Sequence, residues 1–456
     1  MLRMRWLVAV LVLIGVALAL QAGLVAFAGY VLLGVFLLAR FLAREGIANL
    51  TATRTADIAP REIGDEVEVE VKVANGGRWP LPWALAEDLF PEAAVRQERV
   101  KLKGSRLKVL FLRAGATSRI KYKLTFRLRG YYQLGPLMAE TGDVFGLHRR
   151  HKLLAPPVFV LVYPKVLPLA AFDFASARPV GEIRLANRLY EDPTRSAGVR
   201  PYQRGDPLQR IHWGATARTG ELHSRIYEPT SLAGATLLID FHRAGYPRRG
   251  EPSRSELAIT LAASLAYAVA ALNQAVGLAS NGRDATERIR AESLAANLPQ
   301  EFATRTGARE QFAVADDTDR LRPVVVETRR GFDQFEKIRE TLARLELTDG
   351  SSFAQLVVEV RPRLPRDATV IAILPRVPVE TSVALGQLRR QGYAVSVLLV
   401  AIPDEGSDDR IQAMGRLAAE GIRDVRLVNA EADLMALGDR SAAAAPSEYA
   451  FTAPLA

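Results

Sequence analysis

Two apolar runs, Trp6–Leu20 and Leu24–Leu42, carry no charge until Arg40, and only Gln21-Ala-Gly23 separates them. Each approaches the roughly 20 residues that an α-helix needs to cross a bilayer core. A three-residue connection leaves room only for a tight turn, so residues 1–45 read as a two-helix transmembrane hairpin. Arg3 and Arg5 precede the first run, while Arg40, Arg44 and Arg54 end or follow the second. Positive outer ends place the N-terminus and everything after residue 45 in the cytoplasm. A cleaved signal peptide is the competing reading, because Ala17, Ala19 and Ala22 supply small residues near a cleavage site. A second apolar run following at once argues against it.

At 456 residues the chain has room for two or three domains with cores of their own. Its 49% hydrophobic content and mean hydropathy of +0.05 fit a membrane segment joined to globular domains. A net charge of +10 allows contact with anionic lipid or nucleic acid. The basic residues are scattered, without a run of four and without a nucleic-acid-binding module, so membrane lipid is expected and nucleic acid is not. The absence of cysteine excludes disulfides, cysteine-based zinc sites and thiol catalysis.

From residue 46 to 168 the hydrophobic period is two. Val67, Val69, Val71 and Val73 alternate with Glu and Lys before the turn residues Asn75-Gly-Gly77. Leu107–Leu112, Ile120–Leu128 and Val158–Val162 are further strands, and their spacing points to an all-β, Ig-like sandwich. Trp79-Pro-Leu-Pro-Trp83 reads as a rigid loop that packs both tryptophans inward, with an exposed ligand segment as the competing reading. His148 and His151, three apart in a basic loop, read as a solvated face rather than a ligand pair.

Residues 231–430 alternate strand and helix. Thr236–Asp240, Ala275–Ala279, Thr369–Leu374, Ala394–Val400 and Val425–Val428 are apolar strands. Ser255–Leu272, Phe335–Leu347, Thr381–Gln391 and Arg410–Glu420 are helices, and residues 283–330 form an irregular insertion. Such alternation builds a parallel, Rossmann-like sheet with helices on both faces. Residues 431–456 form an Ala-rich tail, which from Ser441 reads as disordered.

Between the two halves, the connector 169–230 holds Arg204, Gly205, Asp206, Arg210, His212, Trp213, Arg218 and Glu221, all within eighteen residues. Three readings stand. Asp206 and Glu221 pair with arginines in a buried network while Trp213 plugs a joint. Or the segment is a docking surface. Or Asp206 and His212 form an acid–base pair, although no nucleophile stands at a recognisable spacing.

The string Y-x-x-G-D-x-x-x-x-I-x-W-x-A-x-A-R-x-G-x-L, here Tyr202 to Leu222, resembles the hallmark of the domain of unknown function 58 (DUF58) family. Arg129–Pro136 and Asp143–Leu147 are similar to the segment ahead of that hallmark. The resemblance implies a bacterial inner-membrane protein: two N-terminal helices, a β domain, the hallmark, then a von Willebrand factor A-like domain. It also implies association with MoxR-type AAA+ ATPases. A von Willebrand A domain often holds Mg²⁺ on Asp-x-Ser-x-Ser, a distant Thr and a second Asp, since the ion demands hard oxygen ligands. Here Asp240 holds the first position, but His242 and Ala244 replace the two hydroxyls. Thr348 or Ser351 stands in for the threonine, and Pro375-Arg376 lies where the second carboxylate belongs. The site is degenerate, and neither metal nor other cofactor is expected.

Neither a Walker phosphate loop nor Gly-x-Ser-x-Gly is present. The expected role is therefore non-catalytic: a membrane-anchored cytoplasmic interaction or assembly factor, with a MoxR-type ATPase as the partner the resemblance supplies. The alternatives are an envelope-associated enzyme using Asp206 and His212, and a metal-dependent von Willebrand A-type ligand-binding protein.

Overall fold

The computed structural model describes residues 8, 12–16, 19–91, 94, 98–143, 149–169, 191–203, 211–229, 234–247, 249–286, 301–302, 322–366, 368–400 and 407–436. They fall in two units. The first takes Met1–Lys165, Arg283–Asp319 and Arg339–Glu346; the second takes Val166–Gly282, Arg320–Ile338 and Leu347–Ala456.

The first unit begins with α1 (Gly23–Ala48), the one helix among the described residues long and apolar enough to cross a membrane. Its 26 residues extend about 39 Å at 1.5 Å per residue, more than a bilayer core of about 30 Å. Of the first apolar run, Val8, Val12–Val16 and Ala19 are helical; the rest lies outside the described residues. Ile14 is buried, and a Cβ placed on Gly29 would lie 2.5 Å from its Cγ1, so glycine permits the close approach of the two runs. The last turns of α1 are fixed to the β-strands that follow. Lys152 Nζ donates to the carbonyls of Ala48 (2.9 Å), Leu50 (3.2 Å) and Ile47 (3.3 Å), placing a cation on the negative end of the helix.

Those strands are β1 (Leu50–Ala56), β2 (Glu66–Asn75), β3 (Leu81–Asp88), β4 (Val100–Gly104), β5 (Leu107–Leu112), β6 (Thr117–Phe126), β7 (Gly130–Leu134), β8 (Leu137–Gly142), β9 (Arg149–Ala155) and β10 (Val158–Val162). One antiparallel sheet runs β1-β2-β6-β4; a second runs β5-β3-β8-β9 and ends on Glu301–Phe302. The valines of β2 are at most 1% exposed, and Val67, Val69 and Val71 meet Leu124, Tyr122 and Ile120 of β6 in register. Ala84, Leu110 and Leu137 from the second sheet complete the same core, so the two sheets close on one another. Burying alternate faces of two sheets supplies the hydrophobic stabilisation, at about 25 cal/mol per Å² of apolar surface.

Three sequence expectations need correction here. Leu81 to Trp83 belong to the strand Leu81–Asp88 rather than to a loop, and Trp79 is not inward: it is 56% exposed and meets Phe41 of α1 edge to face. Trp83 is half-buried, its Nε1 donating to the Asp143 carbonyl at 3.0 Å. His151 is not solvated. It is buried on β9 opposite Glu140, with Nε2 3.6 Å from the carboxylate, while His148 lies outside the described residues.

In the second unit, β11 (Glu191–Pro201) precedes α2 (Trp213–Thr219) and pairs with β12 (His223–Pro229). The rest is an α/β layer: β13 (Gly234–Ile239), α3 (Ser253–Ala271), β14 (Ala275–Ser280), β17 (Val324–Arg329), α5 (Phe353–Val360), β19 (Ala368–Leu374), α6 (Val379–Arg390), β20 (Val395–Val400), α7 (Ser407–Ala419), β21 (Val425–Val428) and α8 (Glu431–Ala436). The short pair β15 (Arg283–Asp284) and β18 (Leu345–Glu346), β16 (Glu301–Phe302) and the last turns of α4 (Phe332–Arg344) belong to the first unit. The sheet order is β17-β14-β13-β19-β20-β21, parallel except for the antiparallel edge strand β17. That edge strand lies inside the stretch expected to be irregular; its Val324, Val325 and Val326 give it the β-branched run a strand favours. Leu238, Val370 and Ala372 pack under Phe353 and Leu356 of α5, Leu385 and Leu388 of α6, and Leu417 of α7.

Candidate functional site

The hallmark segment is built as a helix set into a strand pair. Val199 faces Arg225, Arg200 faces Ser224 and Pro201 faces His223; the Tyr202 N–H donates to the Leu222 carbonyl at 2.8 Å. Ile211, 5% exposed, bridges to Ser224 and seats the segment. His212 then opens α2 as its N-cap: its Nδ1 accepts the Ala215 N–H at 2.9 Å, satisfying a first-turn amide that the helix leaves orphaned. Gly220, at φ +76°, closes the helix in the left-handed conformation. Thr216 Oγ1 accepts the His223 N–H, which ties the helix to the returning strand.

Trp213 is the first residue of α2. It is 67% exposed, and α2 buries no residue at all. Trp213 is thus not the expected plug: the backbone turns helical after His212, and the indole faces solvent. Arg218 and Glu221 are also exposed, with no ion pair among the described residues. Arg204, Gly205, Asp206 and Arg210 lie outside the described residues, and with them the acid–base pairing of Asp206 with His212 and the buried arginine network.

A second constellation lies at the C-terminal edge of the six-stranded sheet. Asp240 follows β13 and is 7% exposed. Its Oδ1 accepts from Asn281 Nδ2 at 2.9 Å and from the His242 N–H at 3.1 Å. Burial pushes its carboxyl above the usual carboxylate range, against the pull of those two donors and of the nearby His242 ring. The His242 Nδ1 accepts the Ala244 N–H at 3.2 Å, and so serves a 3-10 turn. Thr348 is brought beside His242, with the Arg243 N–H donating to its carbonyl at 2.7 Å. The topology thus gathers Asp240, His242, Ala244 and Thr348 in one place. Their first engagements are with protein hydrogen bonds, and no three His, Asp or Glu side chains form a ligand set among the described residues.

Two residues that sequence reasoning passed over organise this edge. Asn281, after β14, also donates to the Ser351 carbonyl and accepts the Phe241 N–H, so it spans three loops. Arg254, in the first turn of α3, is 5% exposed and donates Nε to the Val400 carbonyl at 3.0 Å and Nη2 to the Pro375 carbonyl at 2.5 Å. A cation inside an Ala- and Leu-rich helix was the only signal.

The model of a family described as "Protein of unknown function DUF58" matches residues 198–310, a span that includes α2 and Asp240. The uncharacterised protein YeaD of Bacillus subtilis is 25% identical over 266 residues, 58% of this chain and 64% of that relative's own length. Among solved structures, the CARDB domain of a Pyrococcus furiosus protein, in complex with di-metal ions, matches at 16% identity. It covers 25% of this chain and 91% of that one, with a TM-score of 0.16. Proximal thread matrix protein 1 of the mussel byssus matches at 10% identity over 45% of this chain and 46% of that one, with a TM-score of 0.28. Neither structural likeness is strong enough to bear on fold or function.

Proposed function

We propose that this chain is a non-catalytic interaction or assembly factor of the bacterial inner membrane. A two-helix hairpin anchors an Ig-like sandwich and a von Willebrand A-like α/β domain on the cytoplasmic side. Two antiparallel sheets around one core support the first domain assignment; the strand order with its antiparallel edge supports the second. The partner is a MoxR-type AAA+ ATPase, the association that resemblance to DUF58 proteins implies, and no nucleic acid and no resident metal take part.

One observation carries the reading: Trp213 stands 67% exposed on a helix that buries nothing, fixed by the His212 cap and the Gly220 stop. A rigidly held, solvent-facing tryptophan is the residue type that dominates binding energy at interfaces. The same geometry disfavours an enzyme built on His212, since its Nδ1 lone pair is committed to the helix cap. The test is affinity capture from detergent-solubilised membranes with the full chain and its Trp213→Ala variant. The parent is expected to retain the ATPase, and the variant to lose it with stability unchanged within about 0.5 kcal/mol, as for other exposed positions. Absence of the ATPase from the parent's eluate, or equal capture by the variant, would refute the reading.

A further inference from the structure

Where β13 and β19 lie side by side, the chain leaves the sheet in opposite directions, since β14 was added on one side and β20 on the other. Such a switch point opens a crevice beyond the carboxyl ends of the strands, and ligands of open α/β sheets collect there. Here the crevice is a cavity of about 390 Å³, within the size range of small-molecule sites. Its wall is cationic. Arg254, Arg376, Arg410 and Arg416 border it, against two carboxylates, Asp240 and Glu380. Asp240 already receives hydrogen bonds from Asn281 and His242.

The arginines are placed, not merely present. Arg416 donates Nη1 to the Val377 carbonyl at 2.9 Å and Nη2 to Gln412 Oε1 at 3.2 Å. Neither Arg416 nor the exposed Arg376 has an ion-pair partner among the described residues. The N-terminus of the twelve-residue helix α6 opens on the same cavity, and its N-cap, Pro378, offers no side chain to the first-turn amides. Thr381 gives an independent signal. It is 3% exposed and lines the cavity, yet its hydroxyl has no hydrogen bond among the described residues. A hydroxyl that lines the cavity and is committed to no protein partner is available to hydrogen-bond a ligand oxygen. Phe353, Val377 and Leu399 add apolar residues to the lining.

We propose that this cavity binds a small phosphomonoester, with its phosphate on Arg376, Arg416 and Thr381 and its organic body against Phe353, Val377 and Leu399. Guanidinium forks and a helix N-terminus together are the recurrent means of holding a phosphate dianion. A divalent cation would meet charge of its own sign. The site shares no residue with the Trp213 helix, and the proposal does not depend on it.

Titration calorimetry of the full chain in detergent, at fixed ionic strength, tests this with three probes: adenosine monophosphate, inorganic phosphate and adenosine. Saturable binding of the monophosphate is expected, with weaker binding of inorganic phosphate and none of adenosine. Arg376→Gln, at an exposed position that leaves the fold intact, should weaken the monophosphate about tenfold, and Thr381→Val several-fold, as loss of one hydrogen bond to a charged group predicts. If neither phosphate probe binds at millimolar concentration, the proposal fails. It fails equally if adenosine binds as well as the monophosphate, or if both variants, folded by circular dichroism, bind like the parent.

Discussion

Arg54 and Asp88 form a buried, two-pronged ion pair that clasps one sheet of the β unit to the other. Arg54 Nε donates to Asp88 Oδ2 at 3.0 Å while Nη2 reaches Oδ1, with the side chains 3% and 0% exposed. Arg54 stands on β1 and Asp88 ends β3, so the pair bridges two sheets that otherwise meet largely through an apolar core. Arg54 Nη1 is satisfied by the Pro156 carbonyl at 2.7 Å, and Gly135, at φ +90°, leaves the guanidinium room that a Cβ would fill. Removing one partner of such a pair strands the other charge in the core. Asp88→Ala is therefore expected to cost about 3–5 kcal/mol in urea unfolding of the full chain in detergent. Replacing both residues by apolar ones, Arg54→Met with Asp88→Leu, should recover much of that loss. A single variant within 1 kcal/mol of the parent, an order-of-magnitude margin for a non-critical site, would contradict the clasp.

Tyr122 of β6 completes the clasp by donating its hydroxyl to Asp88 Oδ2 at 2.7 Å. Burial, and then the Asp88 charge, push the phenol well above its ordinary value. A raised folded pKa contributes stability that is complete below the unfolded pKa, about 10 for tyrosine, and is lost as pH climbs toward the folded one. The parent should thus lose stability above about pH 10 more steeply than Tyr122→Phe, while the variant is about 1 kcal/mol weaker at neutral pH. Parallel alkaline curves for the two proteins would count against this.

Much of this architecture was legible in the residues. The Val67–Val73 alternation named its buried face correctly, and the strand at Val425–Val428 was read to the residue. The apolar β13 and the Ala/Leu-rich α3 were read to within two residues at each end. Each is long or apolar enough for its period to show. What failed were short elements whose conformation is set by single contacts. The helix Trp213–Thr219 is seven residues without an apolar face, held by the His212 cap, and no period could reveal it. The clasp was invisible for another reason: Arg54 and Asp88 are thirty-four residues apart and meet only where the two sheets pack face to face.

Topology gives a third expectation. Arg40 and Arg44 stand at the end of α1 that enters the β unit, and that end is held there by Lys152. Positive charge keeps such ends in the cytoplasm. The chain has no cysteine, so single substitutions report cleanly. Ala22→Cys should react with a membrane-impermeant maleimide added to intact cells, and Pro60→Cys only after lysis. Labelling at position 60 alone in intact cells would invert the orientation.

The last prediction concerns Asp240. Its folded pKa is raised, burial being the largest cause, so its ionised form opposes folding rather than supports it. The sign follows from linkage: its contribution is most favourable below the unfolded pKa, about 3.9, and declines as pH rises through the folded value. Asparagine at this position keeps an oxygen for the Asn281 and His242 donors but carries no charge. Asp240→Asn should therefore match the parent near pH 4 and become the more stable protein as pH rises toward neutrality. A metal-binding Asp240 would behave in the opposite way. A site with micromolar affinity would stabilise the parent by about 4 kcal/mol in millimolar Mg²⁺, raising its melting temperature over that in EDTA, and the asparagine variant would lose that gain. Equal melting in Mg²⁺ and EDTA, with a variant more stable at neutral pH, is the expected result. A rise of several degrees in Mg²⁺ that disappears in Asp240→Asn would instead make this edge of the sheet a metal site.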